Sequence, residues 1–210
     1  TAMKDVSFLN KALLTVFHPI DCFDIIKRER GKFKPLPVAA LYLMAVLVNY
    51  LYIFIVHFPL SQKKATEANI ALELFMVVLP LFTFSIASYA VTAIINGESK
   101  FTEMLTAQAY ALTPYIILTP VLGALSNIIS FDQSGVYFFF KYVSLIWVLI
   151  LIFMAVKYLN DYSLMQTVGI VFLSLIMTVI IWAVLLLLFS LTLQLFSFFT
   201  DIYHEIIYKL

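Results

Sequence analysis

The sequence contains little charge, and this scarcity excludes several classes of protein. Only 12% of its 210 residues are charged and 63% are apolar, whereas soluble domains have roughly 25% charged residues. One cysteine, Cys22, excludes an intramolecular disulfide and a cysteine metal cluster. A net charge of +1 provides no basic excess for nucleic-acid phosphates. With a mean hydropathy of +1.02, the sequence predicts an integral membrane protein that binds no nucleic acid.

Long apolar runs occupy most of the chain. A helix of about 20 residues crosses the roughly 30 Å hydrocarbon core of a bilayer. Runs of sufficient length predict five spans in an all-α, polytopic membrane bundle: Leu36–Phe58, Ile70–Ile95, Met104–Ile129, Val136–Val156 and Leu164–Phe199. The fifth run is longer than one crossing needs. No charge, Gly or Pro cluster divides it, so one long helix is favoured over two short spans, which would make six.

The distribution of Lys and Arg predicts the orientation. Seven of the 13 basic residues precede the first span. Lys100 and Lys157 lie in loops on the same side, which gives about nine basic residues against about four on the other side. By the positive-inside rule, the N-terminus is cytoplasmic and the C-terminus lies outside.

The segment before the first span has two amphipathic stretches. Leu9, Leu13 and Phe17 recur at helical spacing, and Pro19 predicts a break between two helices. Residues 1–35 are therefore expected to form cytoplasmic interfacial helices, with a five-span domain at 36–199 and a short tail at 200–210. The basic stretch from Lys27 to Lys34 is interpreted first as a topology signal, with docking of a partner as the alternative.

Polar residues inside the spans are the candidate intramembrane contacts. Ionisable groups there are costly and often functional. Glu73 lies one turn into the second span, so interfacial anchoring is the favoured interpretation. An interhelical hydrogen bond and a role in transport are the alternatives. Asn49, Gln108 and Asn127 are expected to form interhelical hydrogen bonds. The third span, which contains Pro114, is expected to be kinked near the centre of the bundle.

Catalytic, metal and cofactor sites are not predicted. The three histidines, His18, His57 and His204, share no ligand spacing. The sequence also has no HExxH, GxSxG, Walker or dinucleotide motif. We therefore expect a protein that is not an enzyme and needs no cofactor.

Three short motifs in order resemble those of a known family. Phe17–Pro19 and then Phe23–Lys27 precede the first span, Asn96–Phe101 forms a Gly-containing turn after the second, and Tyr110–Pro114 opens the third. This order resembles the YIP family of Ypt/Rab-interacting membrane proteins over nearly the whole chain. Ala109 stands where the family often has Gly. The matching signature positions are His18, Pro19, Gly97, Phe101, Tyr110 and Pro114.

The resemblance implies five spans with a cytoplasmic N-terminus, in agreement with the basic residues. Eukaryotic YIP members act in early secretory membranes with Rab-type GTPases and with one another. This chain lacks their long cytoplasmic N-terminal extension, so it resembles the short prokaryotic type, whose location would be the plasma membrane. That departure counts against GTPase binding. Some prokaryotic members resemble accessory proteins encoded beside sugar transporters.

These observations predict a non-enzymatic scaffold or accessory subunit of a membrane complex. Its expected partners are the lipid bilayer and either other membrane proteins or further copies of itself. Two alternatives remain open: a small-molecule transporter or channel, and a lipid-handling membrane protein.

Overall fold

A computed structural model describes residues 7–31, 33–57, 60, 68–129 and 133–208, the last six by their backbone alone. All regular structure in these ranges is helical, which confirms the all-α prediction. The helices are α1 (Phe8–Phe17), α2 (Pro19–Arg28), α3 (Pro35–Ile55), α4 (Ile70–Ile94), α5 (Phe101–Ala111), α6 (Thr113–Leu125), α7 (Ser134–Asn160) and α8 (Leu164–Tyr208). The predicted ends at 1–6, 209–210 and Phe58 lie outside the described residues.

Five helical stretches are long and apolar enough to cross a membrane. They are α3, α4, the α5–α6 pair, α7 and α8, and this confirms the prediction of five spans. The fifth run forms one continuous helix of 45 residues. The six-span alternative is therefore wrong, because it requires a break within Leu164–Phe199.

The third span lies at the centre of the bundle and the fifth at its edge. In its most apolar part, 56% of the third span is buried inside the protein, against 11% of the fifth. Ala107, Ala109 and Ala111 are fully buried in α5, and such small residues let neighbouring helices approach closely. Helix α5 packs against α3, α4 and α7, whereas α8 packs mainly on α4.

Helices are interrupted next to two of the prolines, at the positions where the sequence predicts a break. Helix α1 ends at Phe17, and α2 starts at once with Pro19 as its first residue. Proline is favoured at this position because its missing N–H has no partner in the first turn of a helix. The third span is likewise interrupted at Leu112, between α5 and α6. The residue before Thr113–Pro114 thus marks the expected kink.

Candidate functional site

One end of the bundle gathers α1, α2 and the connections at 95–100 and 161–163. We call this the N-terminal face. Helix α2 packs on α7 and α5 and buries Phe23 and Ile26. In helix α1 the polar residues Lys11 and Thr15 face the protein and are buried, while Leu9 and other apolar residues are exposed. The two amphipathic helices therefore differ in what their apolar sides contact: that of α2 packs on the bundle, whereas that of α1 is exposed.

The basic stretch after α2 holds the N-terminal face together through ion pairs. Lys27 pairs with Asp161 in the α7–α8 connection. The Arg30 guanidinium lies 3.2 Å from Glu98 and 3.6 Å from Glu103, which belong to the α4–α5 connection and to α5. The pairs with Asp161 and Glu98, whose carboxylates are exposed, contribute about 1 kcal/mol or less each. They nonetheless show that these basic residues have structural partners, so the segment is more than a topology signal.

A second ion pair joins α1 to the end of α2. Lys11 Nζ donates to Glu29 Oε2 at 2.5 Å, and the Lys11 side chain is buried. Close by, Thr15 Oγ1 lies 3.0 Å from Cys22 Sγ. Desolvation by burial raises the pKa of the Cys22 thiol to about 11, although the Thr15 hydrogen bond and the Lys11 charge oppose the shift. Cys22 is thus a buried thiol rather than a nucleophile.

Gly97 lies where two connections meet, at a turn opened by Asn96 with φ of 57°. A Cβ at Gly97 would lie 2.5 Å from Tyr162 Oη and 2.7 Å from Thr92 Cβ. Asn160 Oδ1 accepts a hydrogen bond from the Ser99 amide at 3.0 Å, which ties the two connections together. The neighbouring atoms therefore leave no room for a side chain at position 97, and only glycine fits there.

Phe101 fixes the start of α5 on α4. Its ring makes edge-on contacts with Phe82 at 5.9 Å and with Tyr89 at 6.2 Å between ring centroids. Such pairs contribute roughly 0.5–1.5 kcal/mol beyond the area that they bury.

Tyr110 and Pro114 belong to one hydrogen-bonded break in the third span. Pro114 has no amide to donate to the Tyr110 carbonyl, four residues earlier. The hydroxyl of Thr113 donates to that carbonyl instead, at 2.7 Å. The Tyr110 ring is buried and packs against Phe8 of α1 at 6.1 Å between centroids. His18, in contrast, is exposed and caps α2 without a side-chain hydrogen bond.

Asn49, Glu73 and Tyr115 form a polar network between three spans. Asn49 Nδ2 donates to Glu73 Oε2 at 2.7 Å, and Tyr115 Oη donates to Asn49 Oδ1 at 2.9 Å. Glu73 is only 2% exposed. Interfacial anchoring, the favoured interpretation of Glu73, is therefore wrong, and the structure instead shows an interhelical hydrogen bond.

The other two amides bond locally or to one neighbour. Gln108 Oε1 accepts from Ser85 Oγ at 2.8 Å, between α5 and α4. Asn127 Nδ2 donates to the carbonyl oxygens of Ile55 at 2.9 Å and Gly123 at 3.0 Å, and so joins the ends of α3 and α6.

A small cavity beneath the N-terminal face is a feature that sequence reasoning missed. Its volume is about 50 Å³. It lies between α1, the end of α2, the start of α3 and α5. Its polar lining includes Lys11, Glu29, Lys34 and Glu103. The one signal in the sequence was Glu103 three residues after Lys100, a spacing that helix caps use.

The contacts of the predicted residues described above are packing contacts, ion pairs and hydrogen bonds. Among the described residues, no three His, Cys, Asp or Glu side chains lie close enough to hold a metal ion. The cavity beneath the N-terminal face and two others, beside Leu13 and beside Trp147, are not lined by Asn49, Gln108 or Asn127.

Five apolar spans, of which the third is the most buried, define the class: the chain is an integral, multi-pass α-helical membrane protein. The family model for the Yip1 domain matches residues 13–187. The chain therefore belongs to the Yip1 domain family, in agreement with the resemblance at Gly97, Phe101, Tyr110 and Pro114. No curated protein and no solved structure matches it.

Proposed function

We propose that this protein is a non-enzymatic scaffold or accessory subunit of a membrane complex, and that copies of it associate through α8. The observation that carries this proposal is the exposure of α8. Every residue from Trp182 to Ile202 is exposed in the single chain, although nearly all of them are apolar. A bilayer core covers only about 20 apolar residues of a helix, so an exposed apolar stretch that extends α8 beyond this length needs a further cover.

The length of α8 supports the same proposal. Its apolar part, Leu164–Ile202, has 39 residues, or about 58 Å at 1.5 Å per residue, roughly twice a hydrocarbon core. Its first half is held on α4, where Trp182 Nε1 donates to Thr83 Oγ1 at 3.0 Å. Thr83 lies near the middle of α4, so the exposed half of α8 begins at about the midplane. We infer that the apolar residues of α8 beyond the length of one hydrocarbon core are buried against a neighbouring protein.

A polar stripe within the exposed half indicates what covers it. Ser190, Gln194 and Ser197 follow each other at intervals of four and three residues, so they lie on one side of the helix. Hydroxyl and amide groups both donate and accept hydrogen bonds. The stripe is therefore complementary to itself, and a second copy of α8 can pair with it. Such interhelical bonds contribute about 1 kcal/mol each in a membrane.

The N-terminal face is proposed to be cytoplasmic, with α1 on the lipid surface. The basic residues on this side support the orientation, and the exposed apolar side of α1, with Leu9, Leu13 and Phe17, supports contact with lipid. The plasma membrane of a prokaryote is the proposed location. We do not propose GTPase binding, since Lys27 and Arg30 of the basic stretch form ion pairs within the chain.

Association is tested by co-purification of two tagged forms from the same membranes. The second tag should follow the first in mild detergent. Replacing Ser190, Gln194 and Ser197 together by alanine should abolish this, whereas replacing Leu188, Thr192 and Leu195 on other sides of α8 should not. A monomer that brings neither a second copy nor a defined membrane protein would contradict the proposal.

Glu73 favours one second candidate, a small-molecule transporter. A buried carboxylate within a span is a functional candidate by default, and here it lies in a network with Asn49 and Tyr115. Flux into proteoliposomes that is lost in Glu73→Gln would support transport. The absence of flux over a broad panel of solutes would contradict it.

A further inference from the structure

The cavity beneath the N-terminal face contains one acidic oxygen whose hydrogen bonding is incomplete. Glu103 is 5% exposed and lines the cavity. Its Oε2 accepts from the Lys100 amide at 3.2 Å and faces Arg30. Its Oε1 is buried and has no hydrogen-bond partner among the described residues. A buried carboxylate oxygen without a donor is destabilising, so the cavity favours a ligand that supplies a donor.

The basic side chains around the cavity differ in whether they already form an ion pair within the chain. Lys11 is committed to Glu29 at 2.5 Å, and Arg30 faces Glu98 and Glu103. Lys34 is exposed at the rim of the cavity and forms no ion pair with a described residue. The site thus presents an acceptor at depth and a cation at its rim. A ligand that satisfies both carries a donor at its tip and a negative group behind it.

The position of the cavity places such a ligand at the membrane surface. Lys34 directly precedes Pro35, the first residue of α3, and Glu103 lies in the first turn of the third span. Gly31 and Phe33, also on the rim, are exposed. Lipid headgroups occupy this depth in a bilayer. The cavity can therefore be reached by the headgroup of a lipid that surrounds α3.

From these observations we propose that the cavity binds the headgroup of a phospholipid with a primary amine, a phosphoethanolamine headgroup. Its ammonium group donates to Glu103 Oε1, and its phosphate lies at Lys34. This inference goes beyond the proposed scaffold role and does not depend on α8.

Other headgroups fit the same residues less well. A choline headgroup has no N–H to donate to Glu103 Oε1. A glycerol headgroup on an anionic lipid can donate through its hydroxyls but supplies no positive charge for Glu103. Selectivity for the primary amine over its methylated form is therefore the property that identifies the site.

The test is native mass spectrometry of the full chain with equal amounts of phosphatidylethanolamine, phosphatidylcholine and phosphatidylglycerol that share the same acyl chains. Retention of phosphatidylethanolamine should exceed that of phosphatidylcholine by about tenfold, which corresponds to about 1.4 kcal/mol. Glu103→Gln should bring the ratio close to one. Glu98→Gln is the matched control, because Glu98 also faces Arg30 but is exposed and lies outside the cavity.

Two further experiments are added. The first distinguishes recognition of the headgroup from recognition of the whole lipid, and the second uses the unmodified chain, so that misfolding of a variant cannot explain the result. Soluble glycerophosphoethanolamine should displace the lipid if the headgroup alone is recognised. Lys34→Met should weaken the binding of the lipid and of glycerophosphoethanolamine. On the unmodified chain, retention should fall with each N-methyl group added to phosphatidylethanolamine. Equal retention of the amine and choline lipids, or an unchanged preference in folded Glu103→Gln, would overturn the proposal.

Discussion

The hydroxyl of Thr113 donates to the carbonyl oxygen of Tyr110 at 2.7 Å, at the point where Pro114 leaves that carbonyl without an amide partner. The break lies in the most buried span of the bundle, away from solvent. A carbonyl freed by proline needs a polar partner there, because neither lipid nor apolar side chains supply one. Tyr110, Thr113 and Pro114 therefore act as one unit, which gives this part of the family signature a physical reason.

Replacing Thr113 by valine keeps the volume of the side chain and removes the hydroxyl. The Tyr110 carbonyl then loses its hydroxyl donor, and we expect a loss of about 1–3 kcal/mol in the free energy of unfolding. Thermal unfolding in detergent measures it. Thr178→Val is the control, because the Thr178 hydroxyl bonds to the Ser174 carbonyl within unbroken helix α8. Equal destabilisation by both variants would contradict this role of Thr113.

Gly97 should not tolerate a methyl group. The added Cβ of Gly97→Ala would lie 2.7 Å from Thr92 Cβ, so backbone must shift, and overpacking of this kind costs about 1–3 kcal/mol. Gly169→Ala meets nothing within 4 Å in α8 and should be neutral or stabilising by up to about 1 kcal/mol. The melting temperatures of the two variants, compared in one detergent, decide the matter.

The hydrogen bond between Asn49 and Glu73 should appear as an energetic coupling. In a double-mutant cycle of Asn49→Ala and Glu73→Ala, we expect the two losses of stability to be non-additive by about 1 kcal/mol. Chemical denaturation of the four proteins measures this. Strict additivity would mean that the 2.7 Å contact contributes nothing to stability.

Cys22 should be unreactive in the folded protein. Burial raises its pKa to about 11, so near neutral pH almost no thiolate, the reactive form, is present. Unfolding returns the pKa to its ordinary value near 9.0. The folded state therefore binds more protons in this window, and stability should fall as the pH rises from about 9 towards about 11. Labelling with N-ethylmaleimide before and after denaturation tests the reactivity, and fast labelling of the native state would contradict it.

The sequence predicts the elements of this fold well because their signals are local. Apolar length predicts the five spans, and the proline at position 19 predicts the boundary between α1 and α2. Composition could not predict that Glu73 is buried, because its position near a span end is also compatible with anchoring. Only the packing of α3 on α4 brings Asn49 within 2.7 Å of it.

The cavity and the ion pairs of the N-terminal face were hidden for a related reason. Arg30 and Glu103 are far apart in the chain and become neighbours only when α2 docks on α5 and α7. Positive-inside counting records that Arg30 is basic and on one side, but not which carboxylate it faces. Contacts between distant segments depend on tertiary packing, which a single sequence does not reveal.

Cysteine cross-linking along α8 tests the central claim, association through the stripe of Ser190, Gln194 and Ser197, most directly. With Cys22, the single native cysteine, replaced by alanine, single cysteines are introduced at successive positions of the exposed half and oxidised in native membranes. A disulfide requires Cα atoms about 4.4–6.8 Å apart. The account predicts covalent dimers at the three stripe positions and none at Thr192 on the opposite side. No dimers at the stripe, or equal yields at every position, would contradict it.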